Sequence, residues 1–323
     1  MTPIKAALGG AMALVLMAGM AQAKVVLSAA SSFPEGHLFS TPFENFVKDF
    51  NAANGDEIVI DYKGGAPAIG SPFTLAERVQ RGQFDMMAIT GPYYETAVPV
   101  ALSLILTDKP IAALRKTDWI AAMEEAHEAR GLRYLGKITE GGTFHLYLRT
   151  PIESADLTGL RLRVAPHYQP FFGALGATTM RSDLGEIYTL MENGSIDGFG
   201  WPLVGFLPDW LDITAYRVEP GFYDTDFNIV MNLEAWTALS DDHKRRLADL
   251  VAVYEAKAAA TVDGWTAEAL PRMDAAGMKV IRLSEADAAA FLKTARDTGW
   301  ATVLSRDPEL GARLRAGADA AAE

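Results

Sequence analysis

A β–α–β unit can be read at the start of the folded part of the chain, and it commits the sequence to a parallel sheet covered by helices. Lys24 to Ala30 is a short apolar run that reads as a strand, and Ser31 to His37 is a loop by its Pro34 and Gly36. A helix should open at Thr41, with Thr41 as its cap, Pro42 at the first helical position and Glu44 closing a capping box. Phe43, Phe46, Val47 and Phe50 repeat at helical spacing and give that helix one apolar face, Asn54-Gly55 ends it, and Glu57 to Tyr62 reads as the second strand.

One phrase then occurs twice. Leu75 to Asp85 and Ile187 to Asp197 each read as an amphipathic helix, a glycine (Gly82, Gly194), a polar residue, an apolar residue and an aspartate. The glycine stands where a left-handed C-cap needs it. Helix–glycine–strand junctions are common, so the repeat is compatible with two similar lobes without requiring them. From Asp241 to about Asp274 the chain is helix-forming, with Leu247, Leu250, Val251 and Tyr254 on one face and Pro271 expected to kink or end the run. About 30 helical residues span some 45 Å, enough to brace two lobes.

The first 23 residues have a different character. Lys5 is their only charge, residues 6–20 are apolar apart from glycines, and Ala21-Gln22-Ala23 has the small-x-small form of a cleavage site. The segment reads as a secretory signal peptide, because about 15 apolar residues fall short of the roughly 20 that span a bilayer. The exported chain would begin at Lys24, in the periplasm, with 28 Lys and Arg against 41 Asp and Glu. That acidity argues against nucleic acid as a partner but not against an anionic ligand, since one buried cation can dominate locally. The chain has no cysteine, and about 300 residues bury a sizeable core without disulfides. His37, His127, His145, His167 and His243 form no zinc-binding helical spacing, and neither a nucleophile elbow, a P-loop nor a dinucleotide fingerprint is present.

The run Asp156-Leu157-Thr158-Gly159-Leu160-Arg161-Leu162-Arg163-Val164 passes from a turn into a strand. Leu160, Leu162 and Val164 share one face, Arg161 and Arg163 the other, so spacing does not choose between the two arginines. With Leu175-Gly176-Ala177-Thr178, the Glu186-x-Tyr188-x-Leu190 run, Asp197-Gly198, the segment Asn232 to Leu239 around Trp236, and the loop Ser31 to His37, this ordered set resembles the solute-binding subunits of tripartite ATP-independent periplasmic (TRAP) transporters.

The resemblance implies an α/β, two-lobed periplasmic binding protein of type II-like architecture with a long helix spanning both lobes. The expected limits are a signal peptide over 1–23, a first lobe over 24–147 and 228–262, and a second over 148–227 and 263–323. It also implies capture of a small organic acid for small and large membrane subunits, with Arg163 clamping the carboxylate in bidentate fashion. Where many relatives carry an asparagine before proline, this chain has Trp201, and no arginine stands in the Gly141–Tyr147 stretch. Trp201 is either an apolar wall for the ligand or core packing; the first reading favours a monocarboxylate with an apolar or aromatic body. His145 faces either the cleft or a polar surface. Phe33, His37, Tyr93, Tyr94 and Phe222 are further candidates for the site, although Tyr93 and Tyr94 cannot both face it in an extended segment. Some relatives with a tryptophan here hold a metal through a neighbouring glutamate; that neighbour is Gly200, so neither a metal nor a cofactor is expected. Two other classes stay open. One is a binding protein that feeds a sensor kinase. The other is a periplasmic enzyme, which needs a general base near its substrate, and no candidate pair is evident.

Overall fold

The computed structural model describes residues 24–182 and 184–321; the leader expected at 1–23 lies outside the described residues. Eleven strands are described: β1 (Val25–Ser31), β2 (Ile58–Gly65), β3 (Met86–Ile89), β4 (Leu132–Gly141), β5 (Phe144–Leu148), β6 (Arg161–Val164), β7 (Thr178–Arg181), β8 (Gly198–Pro202), β9 (Tyr216–Glu219), β10 (Thr225–Asn232) and β11 (Lys279–Arg282). The described α-helices are α1 (Thr41–Asn54), α2 (Leu75–Gln80), α3 (Ile111–Leu114), α4 (Trp119–Glu128), α5 (Gln169–Ala174), α6 (Ile187–Glu192), α7 (Leu233–Ala238), α8 (Asp241–Glu255), α9 (Ala258–Ala275), α10 (Glu285–Arg306) and α11 (Pro308–Ala320).

The strands form two sheets, ordered β2-β1-β3-β10-β4 and β11-β9-β5-β8-β6-β7. In the first, β2, β1 and β3 are parallel and β10 runs antiparallel between β3 and β4. In the second, β7, β6 and β8 are parallel and β5 runs antiparallel between β8 and β9. The two lobes therefore share one plan, with a strand borrowed across the hinge in each. Helix α1 buries Phe43, Phe46, Val47 and Phe50 against Leu27, Ile58 and Ile60 of the first sheet. Its N-terminus differs from the expected capping box. Ser40 precedes it in a helical conformation without a capping bond, because the turn from His37 already feeds into the helix. Thr41 Oγ1 donates instead to His37 O at 3.1 Å, and the Glu44 carboxylate accepts from Gly36 N at 2.8 Å.

The twice-read phrase is one structural device used twice. Gly82 and Gly194 end α2 and α6 at φ +71° and +72°, in the left-handed region that a glycine occupies without cost. The following aspartates then latch onto the neighbouring strand. Asp85 accepts from Ser28 N at 2.8 Å on β1, and Asp197 accepts from Arg161 N at 2.8 Å on β6.

The chain changes sheet at 142–143 and again at 220–224, a few residues ahead of the lobe limits expected from the sequence. The two crossings are held to each other: Phe144 N donates to Phe222 O at 2.9 Å and Gly141 N to Asp224 Oδ2 at 3.1 Å. A third link is the helical run from Asp241 to Ala275. Ser240 caps it by accepting from His243 N, and Leu247 and Val251 pack into the first lobe. Further along, Val262 meets Phe39 and Val204, and Met273 joins the second-lobe cluster of Phe199, Trp201 and Trp210. Pro271 does not end this run: it lies inside α9, which continues to Ala275, and the helical run is interrupted instead at Ala256–Lys257. There the Glu255 carboxylate is drawn onto β4, accepting from Arg115 at 2.6 and 2.7 Å and from Lys137 N at 3.0 Å. The last helix, α11, packs on α10 and on α4 of the first lobe rather than against the second sheet, with Leu314 and Ala318 in the cluster of Trp119 and Met123.

Candidate ligand-binding cleft

A cavity of about 780 Å³ opens between the sheets, where the parallel strands of both lobes end. Carboxyl ends of strands are where open α/β sheets bind ligands, because the loops leaving them converge there. The first lobe contributes Phe33 after β1 and Tyr93 after β3; the second contributes Arg163, His167 and Tyr168 around the end of β6, and Trp201 on β8.

Arg163 is 5% exposed and lines the cavity. Its Nε and Nη2 donate to Ser182 O at 3.1 and 2.8 Å, and its Nη1 donates to Tyr168 Oη at 3.2 Å. A guanidinium carries five N–H groups, so one N–H on each terminal nitrogen has no partner among the described residues. Tyr168 Oη in turn donates to Gly200 O at 2.7 Å. Arg161, two residues earlier on the same face, goes elsewhere: it is half exposed and pairs with Asp197 at 2.7 and 3.0 Å. The choice that strand spacing left open is thus made by Asp197, which occupies one arginine and leaves the other to the cavity.

Aromatic rings make up much of the wall. Phe33 packs on Phe39 and Tyr93, and Tyr93 on Phe73, with ring centroids 5.2, 5.6 and 4.7 Å apart. Trp201 stands edge-on to Trp210 and spends its indole N–H on Gly205 O at 3.0 Å, so it presents carbon to the cavity. Burial, with the Arg163 charge adding to it, lowers the pKa of His167 to about 3, so this imidazole is neutral at neutral pH. Burial pushes the Tyr93 hydroxyl up to about 12. Asp226, also a lining residue, has its pKa raised by burial, but Thr90 Oγ1 and Gly91 N donate to its carboxylate at 2.6 and 2.8 Å, and Asn228 Nδ2 also donates to it. Among the described residues no group of three or more His, Asp or Glu could hold a metal ion. A side chain at Gly200 would place its Cβ 2.9 Å from the Tyr168 ring.

Four residues expected at the site lie outside the cavity lining. Tyr94 is fully buried behind Tyr93, its hydroxyl 3.0 Å from His127 Nε2; the segment is a 3₁₀ turn (Gly91–Tyr93), so the two tyrosines diverge. Phe222 packs among Phe171, Phe172 and Phe291 in the second-lobe core. His145 is buried on the β9 side, where Nδ1 meets Val218 O at 3.1 Å and Nε2 meets Thr143 Oγ1 at 3.2 Å. His37 stacks on Phe33 at 5.0 Å and supports it from behind, its Nδ1 accepting from Phe39 N. The sequence reading missed Arg181, Tyr168 and His167 as lining residues. The signal for Arg181 was available: β7 is the parallel neighbour of β6, and its last residue pairs with Val164 at the same cleft-facing end. Arg181 is exposed and donates to Gln169 Oε1 at 2.6 Å.

Two like-built α/β lobes, joined by two strand crossings and a bracing helix around a cavity with a buried guanidinium, define a two-lobed solute-binding protein. Residues 29–303 match the DctP family, bacterial extracellular solute-binding protein, family 7, and the chain belongs to that family. A solute-binding protein of Roseobacter denitrificans is 25% identical over 250 residues, covering 73% of this chain and 74% of that one. A TRAP periplasmic solute-binding protein of Desulfovibrio salexigens, solved with orotic acid, superposes with TM-score 0.78 at 20% identity, covering 92% and 98% of the two chains. One from Citrobacter koseri, solved with D-glucuronate, gives TM-score 0.72 at 20% identity over 91% and 99%.

Proposed function

We propose that this protein captures a small monocarboxylate with a planar or apolar body and delivers it, in the periplasm, to the small and large membrane subunits of a TRAP transporter. The observation that carries the reading is Arg163: a guanidinium buried at the cleft, held by three hydrogen bonds to two acceptors, Ser182 O and Tyr168 Oη, with two N–H groups left over among the described residues. Removing a carboxylate from water is costly unless charged donors replace its hydration, and a planar fork does so with matching geometry. The ring walls and the spent indole N–H of Trp201 favour a flat or apolar remainder over a hydroxyl-rich one. The fold relatives hold orotate and glucuronate, so the class of small acids is common to them and the body is what this cleft selects. Calorimetric titration of the exported chain with orotate, D-glucuronate and succinate tests it. Orotate should bind best and raise the melting temperature, since ligand at 100 times its dissociation constant stabilises by about 2.7 kcal/mol. A preference for succinate or glucuronate rejects the planar-monocarboxylate reading. Uptake of the bound acid by cells carrying both membrane subunits, abolished without this protein, tests delivery.

A further inference from the structure

We propose that Tyr168 is the positioning residue of the cleft: its hydroxyl, held by Gly200 O, fixes the plane of the Arg163 guanidinium and thereby makes the site select a carboxylate over the matching carboxamide. The inference rests on the reading of Arg163 as the carboxylate clamp. Two of the three protein bonds of Arg163 converge on one atom, Ser182 O, at 3.1 and 2.8 Å. A single acceptor is a pivot and leaves the plane free to turn about it. The third bond, from Nη1 to Tyr168 Oη at 3.2 Å, reaches a different segment of chain and removes that freedom.

Tyr168 can serve only as an acceptor in this bond, because its own proton is committed to Gly200 O at 2.7 Å. Burial raises its pKa, so the hydroxyl keeps that proton. The ring sits among Phe144, Phe172 and Phe222, where a phenylalanine would pack equally well, and the hydroxyl with its two bonds is what a tyrosine adds. Gly200 belongs to the same arrangement. A Cβ there would stand 2.9 Å from Tyr168 Cε2 and 3.2 Å from Phe172 Cε2, so any larger residue displaces the ring that holds the arginine. A fork fixed in plane presents donors to two acceptor oxygens. A carboxamide offers one acceptor and one donor, and it binds such a fork only if the plane can turn.

The test uses the exported full chain as wild type, Tyr168→Phe, Gly200→Ala and Arg163→Lys, titrated with orotate and with orotamide. In Tyr168→Phe the affinity for orotate should fall roughly tenfold or more, the loss expected for a hydrogen bond to a charged group, while orotamide changes little. Gly200→Ala should shift the ratio the same way. Equal weakening of both ligands assigns Tyr168 to packing alone and overturns the proposal. If Arg163→Lys weakens orotate binding but Tyr168→Phe does not, the positioning role fails while the clamp stands; if neither variant matters, the clamp itself fails. A ligand-free measurement decides the point even if orotate is not bound. Arginine side-chain NMR, with Arg163 assigned by its absence in Arg163→Lys, should show slow rotation of its terminal nitrogens in wild type and fast averaging in Tyr168→Phe. Equal averaging in both proteins overturns the proposal.

Discussion

Replacing Arg163 by lysine keeps the charge and removes the fork, which isolates geometry from electrostatics. The wild-type guanidinium divides five N–H groups between Ser182 O, Tyr168 Oη and two left over for a ligand. A lysine ammonium has three. Satisfying Ser182 O and Tyr168 Oη consumes two and leaves one for the carboxylate, so one charged hydrogen bond to the ligand is lost. Such a bond is worth about 1.5–3 kcal/mol, which corresponds to roughly a 10- to 150-fold weaker complex. The control is Arg161→Lys: this residue is half exposed and engaged with Asp197, and its replacement should leave affinity near wild type. Isothermal titration with orotate at fixed salt reads all three proteins. Binding by Arg163→Lys within about twofold of wild type, against the expected loss of about tenfold or more, refutes the clamp. A loss confined to Arg161→Lys would move the clamp two residues back along the same strand face.

Three further outcomes follow from the structure. Glu255→Gln should lower stability by about 1–3 kcal/mol by urea denaturation, toward the low end because Arg115 is more than a third exposed; an unchanged midpoint would refute the role of this carboxylate in pinning the long helix to β4. His127 and His167 are buried with pKa values lowered to about 4 and about 3, so the unfolded chain takes up protons near pH 6.5 that the folded chain refuses. The neutral histidines cost nothing above pH 6.5, and stability should decline as pH falls from there toward about 4; a urea midpoint higher at pH 5 than at pH 7 would contradict this. Ligand affinity should be flat between about pH 6 and 8, because an arginine is charged and His167 neutral throughout; a step near pH 6.5 in the titrations would mean that His167 titrates on binding.

The layered α/β plan was legible because it rests on local signals: apolar runs, the face of Phe43, Phe46, Val47 and Phe50, and glycines where helices stop. What those signals do locally was less legible. Thr41 looks like a cap, but the preceding turn is already helical and Ser40 turns its hydroxyl to Phe33 O. The pairing of Arg161 with Asp197 spans 36 residues and no window contains both. Aromatic residues were the least readable. Tyr93 and Phe33 border the cavity while Tyr94 and Phe222 fill cores, although each pair is one tyrosine and one phenylalanine outside the named strands. What separates them is which way a turn leaves a strand end. Tyr168 was invisible as a site residue because its part depends on an acceptor, Gly200 O, supplied by backbone, which carries no sequence signature of its own.

The borrowed strands also set an order of events. β4 pairs in the first sheet only with β10, and β10 lies between β3 and β4. Until residue 232 has been made, a growing chain holds β3 and β4 as unmatched edges with a strand-wide gap between them. The helix that seals the outer face, α8, comes later still. At roughly 5–20 residues per second, the early segments wait many seconds for their partners. Such a polypeptide has no finished first lobe to pull apart while most of it is being made. The unpaired edges of β3 and β4 in that interval are templates for pairing with other chains until β10 fills the gap.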